Sequence, residues 1–97
     1  MSVKIHPGEI VYANAGRDKG KYFIVLSLEN EFLYLCNGKS RKISNLKKKN
    51  EKHVSATGVV DSDISKKLSV GDGITDKQVR AVISKYKGEL ICDMRKE

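Results

Sequence analysis

A mainly β chain is what the sequence predicts: a small barrel or sandwich over residues 1–58 and an extension with one or two short helices over residues 59–97, packed on it. Three observations carry that expectation. Short apolar runs alternate with turn residues as far as Gly58, at the spacing of roughly 8 to 12 residues that small barrels and sandwiches show. The run Tyr22–Leu28 is apolar on both alternating sets, with Tyr22, Ile24, Leu26 and Leu28 on one and Phe23 and Val25 on the other, which suits a central strand buried on both sides. Beyond Gly58 the apolar spacing changes from strand-like to helical.

His6-Pro7-Gly8-Glu9 reads as a lead-in turn, because proline fixes φ and glycine permits the bend. A first strand follows over about Glu9 to Asn14. The segment Ala15-Gly16-Arg17-Asp18-Lys19-Gly20-Lys21 is a basic turn bounded by glycines. Gly16 and Gly20 shape the reversal, since glycine takes positive φ cheaply, and Arg17, Lys19 and Lys21 are thereby held on a short connection between paired strands. The second strand spans Lys21 to about Leu28, Glu29-Asn30-Glu31 turns the chain, and the third covers Phe32 to Cys36. Asn37-Gly38 is the strongest two-residue hairpin signal present, so a fourth strand is expected over Lys39 to Leu46, anchored by Ile43 and Leu46. Its polar, basic character marks an edge strand that resists unwanted pairing. His53–Thr57 completes the strand set.

In the extension, Asp61-Ser62-Asp63 caps a short helix reaching about Leu68, and Gly71-Asp72-Gly73 breaks it. Thr75 and Gln78 have the spacing of a capping box. Val79, Val82, Ile83 and Tyr86 then form an apolar stripe at helical spacing, expected to pack on the barrel, on the preceding helix or on a partner, with internal packing favoured. Gly88 is the expected stop. Leu90-Ile91-Cys92-Asp93-Met94 reads as an extended return, with Arg95 to Glu97 fraying.

Charge is concentrated. The formal net charge is +7, yet Met1–Gly38 balances four basic against four acidic residues and Val54–Glu97 eight against seven. Lys39–His53 sets seven basic residues, Lys39, Arg41, Lys42, Lys47, Lys48, Lys49 and Lys52, against Glu51 alone. Charge gathered in one stretch attracts a polyanion and gains affinity through counterion release, whereas the same charge scattered would mainly aid solubility. A solvated lysine run is the plainer reading of this stretch by itself. The basic turn, a second and independent cationic element, favours a binding face for nucleic acid.

A chain of 97 residues leaves no room for a large substrate pocket. No apolar run approaches the roughly 20 residues of a membrane helix, and the amino terminus lacks a signal-peptide core, so a soluble, cytoplasmic protein is expected. Cys36 and Cys92 read as buried free thiols in preference to a disulfide. His6, His53, Cys36 and Cys92 have no paired metal-ligand spacing, so neither metal nor cofactor is expected. No nucleophile–base or paired-carboxylate constellation stands out, which argues against an enzyme.

The order Gly8-Glu9-Ile10-Val11, then Ala15 to Lys21, then Ile24-Val25-Leu26 resembles the KOW motif, and Asn37 to Ile43 with Lys47-Lys48-Lys49 and His53-Val54 resembles the basic half of short ribosomal-protein-like KOW proteins. The resemblance covers about residues 5 to 58. It implies a small SH3-like β-barrel, a non-enzymatic RNA-binding function, and structured RNA, above all ribosomal RNA or the ribosome, as partner. Ribosomal or transcription proteins are further partners it allows, and a monomer is expected. On this sequence it implies phosphate contacts by Arg17, Lys19 and Lys21; Lys39, Arg41, Lys42, Lys47, Lys48, Lys49, Lys52 and His53 are added as a second contact row. Tyr12, Tyr22 and Tyr34 could stack on unpaired bases, although packing roles are commoner for strand tyrosines. The alternative is a protein-interaction module of the transcription or translation machinery.

Overall fold

The computed structural model describes residues 5–95. Strands β1 (Glu9–Ala13), β2 (Tyr22–Glu29), β3 (Phe32–Cys36), β4 (Lys47–Asn50) and β5 (Val54–Val60) are followed by helices α1 (Ser62–Val70) and α2 (Asp76–Arg95). The strands make one five-stranded sheet in the order β4-β3-β2-β1-β5, with every neighbouring pair antiparallel. The run that is apolar on both sets is the central strand, β2. Its two faces meet two separate clusters.

On one face Val11, Ala13, Phe23, Val25, Leu33, Leu35 and Val54 are buried together with Ile5, and among the described residues no helix side chain joins them. A sheet can bury such a face without a covering layer only by curling over it. The chain connections require the same curl: β4 and β5 are the two edges of the sheet, yet only the 3-10 turn Glu51–His53 separates them in sequence. Register shifts between Val25 and Ser27 and between Glu9 and Val11 supply local bends. The other face carries Ile10, Ile24 and Cys36, covered by Ile64 of α1 and Val79 and Ile83 of α2. Both helices thus dock on the sheet, and the radius of gyration of 12.9 Å is close to the roughly 12.5 Å expected for a packed chain of this length.

Local signals account for the helix starts. The Asp61 carboxylate accepts from the Ile64 N–H at 3.0 Å, and α1 ends where Gly71 turns left-handed at φ 78°. The Thr75 hydroxyl accepts from Gln78 N at 3.2 Å while the Gln78 side chain accepts from Thr75 N at 3.0 Å, a complete capping box.

Four expectations are overturned, and one strand is longer than expected. Lys39–Leu46 is not a strand, and Asn37-Gly38 is not a two-residue hairpin. The Asn37 Oδ1 accepts from the N–H groups of both Lys39 and Arg41, the Arg41 carbonyl accepts from Asn37 N and Gly38 N, and the Asp76 carboxylate accepts from Ile43 N at 2.8 Å. The loop therefore satisfies its backbone locally and through α2, leaving nothing to gain from a ladder. Ile43 and Leu46 still serve as apolar anchors, beneath the helices. The edge strand is the lysine run itself, paired Leu33 to Lys49, Tyr34 to Lys48 and Leu35 to Lys47. The fifth strand also runs past Gly58 to Val60. Finally, α2 continues through Gly88 and through the expected extended return to Arg95. Glycine stops a helix where the backbone turns left-handed, as at Gly71; inside a helix it costs only about 1 kcal/mol. The expectations for the Cys92 side chain and for fraying at Lys96 and Glu97 lie outside the described residues.

Candidate nucleic-acid interface

The β1–β2 connection is held by its own backbone. Gly20 N donates to the Ala13 carbonyl at 2.9 Å, Lys19 N to Gly16 at 3.2 Å and Lys21 N to Asp18 at 2.9 Å, with Gly16 and Gly20 at φ 80° and 94°. Arg17, Lys19 and Lys21 are exposed on it. Further bonds clamp the turn between the two edges of the sheet. Asn14 N donates to the His53 carbonyl at 3.0 Å and its amide to the Ser55 hydroxyl at 3.1 Å. From β4, the Lys47 ammonium lies 2.9 Å from the Asp18 carboxylate, and the Lys49 ammonium donates to the Ala15 carbonyl at 2.8 Å. The basic turn therefore meets the later basic segment at Lys47, Lys49 and His53.

Within the triple-lysine run the roles diverge, because successive strand residues face opposite sides. Lys49, only 8% exposed, lies on the Leu33 side and is committed to the turn. Lys47, on the same side, is paired with Asp18. Lys48 faces the other way, its ammonium 4.5 Å from the centre of the Phe32 ring. Lys52 and His53 are exposed on the 3-10 turn, next to the Asn14 anchor. Lys39, Arg41 and Lys42 belong to the loop over α2, where Lys39 and Lys42 are exposed and Arg41 is half-buried.

Asp18 is the carboxylate that pairs with Lys21 and Lys47. The hydrogen bond from Lys47 holds its carboxyl below the usual range, against some burial, and the charges of Lys47, Lys21 and Lys49 add to this; Lys21 lies 3.6 Å away. A carboxyl with a lowered folded pKa contributes stability that is present above the unfolded value of about 3.9 and is lost as pH falls through the folded one. Asp18→Asn is therefore expected to flatten the decline in stability on acidification below about pH 4, read by urea melts at successive pH values; a decline as steep as in the wild type would mean that the pair contributes nothing.

Sequence reasoning missed the cations of α2. Lys77, Arg80 and Lys87 line an open groove of about 980 Å³ with Lys21, Lys39 and the Tyr22 ring. Arg80 also donates from its guanidinium to the Gly38 carbonyl at 2.7 Å. The signal was present: Lys77, Arg80 and Lys87 fall at helical spacing beside the apolar stripe. Tyr22 is fixed by neighbours, its ring centre 5.1 Å from Tyr12 and 5.5 Å from Tyr86. Tyr34 instead donates to Glu29 at 3.0 Å.

Cys36 is a free thiol, fully buried, and burial aided by the Asp76 charge pushes it up to about 12, so it remains protonated and unreactive at neutral pH. Among the described residues no three His, Cys, Asp or Glu side chains gather as a metal site, and no helix is long and apolar enough to cross a membrane. In comparisons with known proteins, no family model matches the chain, and neither does any curated protein.

Proposed function

We propose that the chain is a non-enzymatic RNA-binding protein of KOW type, which docks on structured RNA, ribosomal RNA foremost, through the basic turn and the flanking basic segment. One geometric fact supports this above others: Lys47 and Lys49 tie β4 to the turn that carries Arg17, Lys19 and Lys21. Cations on a braced turn meet phosphate oxygens without first ordering a loop, so less entropy is lost on contact. Arg17, Lys19, Lys21, Lys52 and His53 make the contacts; Lys47 and Lys49 hold the turn in place and add to its field. The curled sheet whose edges are joined by a three-residue turn fits a closed SH3-like barrel. The protein works in the cytoplasm, as a monomer, without a cofactor.

Binding is electrostatic positioning on the shape of the RNA. With around six phosphates neutralised, log K falls against log salt with a slope near −4 to −5. Titration of ribosomal RNA fragments at several salt concentrations measures that slope, and a salt-insensitive or absent interaction would refute the reading.

A second reading, a protein-interaction module of the transcription or translation machinery, draws on exposed Leu28, Val59, Val60 and Val70. Leu28 and Val60 border a separate groove of about 640 Å³ with Pro7 and Leu68. Association with ribosomes or polymerase that survives complete RNA digestion would favour it.

A further inference from the structure

We infer that the groove between α2 and the 37–41 loop is a subsite for an unpaired stretch of RNA, with backbone phosphates on Lys21, Lys39, Lys77 and Lys87 and a base against Tyr22; this rests on the RNA-binding reading. Cations reach the groove from the residue before β2, from the loop and from α2, while among the described residues no carboxylate lines it. Asp18 pairs with Lys47 at 2.9 Å and reaches Lys21 at 3.6 Å, so of the groove cations only Lys21 has an ion pair among the described residues. Like charges gathered on three elements repel one another, and an anion in the groove removes that repulsion.

The aromatic floor narrows the kind of anion. Tyr22 is half-buried, wedged between Tyr12 and Tyr86, so its ring is already oriented and stacking immobilises nothing further on the protein. The Lys87 ammonium lies over the ring, 6.0 Å from its centre, and can swing off it to meet a phosphate of a nucleotide whose base takes its place. A tyrosine flanked by cations binds single strands through stacking and charge together. Bases paired inside a duplex present no free face, so loops, bulges and ends are the ligands that fit. Lys21 belongs to both the turn and the groove, which makes the subsite continuous with the phosphate-binding surface.

The test uses the full chain and fluorescence anisotropy with a labelled single-stranded RNA octamer, the duplex of the same sequence, and poly-glutamate. The variants are Lys77→Gln with Lys87→Gln, and Tyr22→Leu. At 0.1 M salt single-strand affinity is expected to fall about 25-fold in the double lysine variant, with a salt slope smaller by about 1.4, and about tenfold in Tyr22→Leu, while duplex binding through the turn stays unchanged. Tyr22→Leu keeps an apolar side chain for packing; should it melt early, the lysine variant alone decides. Unchanged single-strand binding, or equal losses on both RNAs, would overturn the inference and leave the turn's role standing. Wild-type protein that binds neither RNA would overturn both readings. Poly-glutamate held as tightly as RNA would assign the groove to acidic protein segments.

Discussion

Gly38→Ala is expected to lower the thermal unfolding midpoint by roughly 10 °C or more. Gly38 adopts φ 76°, and a Cβ there would stand 2.5 Å from the Asp76 carbonyl oxygen and 2.7 Å from Arg80 Cγ. The arginine methylene can move; the backbone of the first turn of α2 cannot. Left-handed strain and a clash in a packed site each cost about 1 to 3 kcal/mol, and 1 kcal/mol shifts the midpoint of a domain this size by about 4 to 8 °C. Lifting α2 would also break the Asp76 contact with Ile43 and the Arg80 contact with Gly38, and expose the packing of Val79 and Ile83 on Ile24 and Cys36. The buried Cys36 reports the same event, because its modification by a thiol reagent, mapped by mass spectrometry, should accelerate in the variant. A midpoint within about 3 °C of the wild type would show that the loop and helix separate at little cost.

The same glycine explains why part of the fold was illegible in the sequence. Elements whose signal is local could be read: the double alternation of β2, the Asp61 cap, and the Thr75–Gln78 box each specify their structure within a few residues. Asn37-Gly38 has an equally strong local preference, yet the backbone there is chosen by a helix about 40 residues later, which approaches so closely that only glycine fits. Tertiary docking overrides a turn propensity when it buries an apolar stripe worth several kcal/mol. The strand Lys47–Asn50 was hidden for the converse reason, since three lysines and an asparagine carry no apolar alternation and form a strand only because β3 offers a ladder to pair with.

The candidate site was legible in outline. That the turn and the lysine run are both basic follows from composition; that they share a surface follows from the curl of the sheet, which no local pattern encodes. The division of labour inside the run was equally invisible. Strand alternation sends Lys48 away from the turn and points Lys47 and Lys49 at it, so a segment read as three equal contacts contains a buried brace, a paired brace and a side chain over Phe32.

Reversing both free cations at the tip, Arg17→Glu with Lys19→Glu, is expected to weaken binding to structured RNA by about 60-fold or more at 0.1 M salt. Each phosphate contact to a duplex releases about 0.9 counterion, so at that salt one contact is worth about 8-fold, and two multiply to the stated loss before any repulsion from the new carboxylates. The salt slope should become shallower by about 1.8, and repulsion makes the loss at low salt larger still. Arg17 and Lys19 are exposed, and the bonds that brace the turn come from Asn14, Lys47 and Lys49, so the fold should melt within a degree or two of the wild type. The contrast with Lys49→Gln separates contact from support: loss of the brace to Ala15 should lower the melting midpoint and loosen the turn, weakening RNA binding with a slope change of no more than about 1. Equal affinity of the reversed variant and the wild type, with the melting midpoint unchanged, would remove the turn from the interface and leave the groove along α2 as the surface that meets the polyanion.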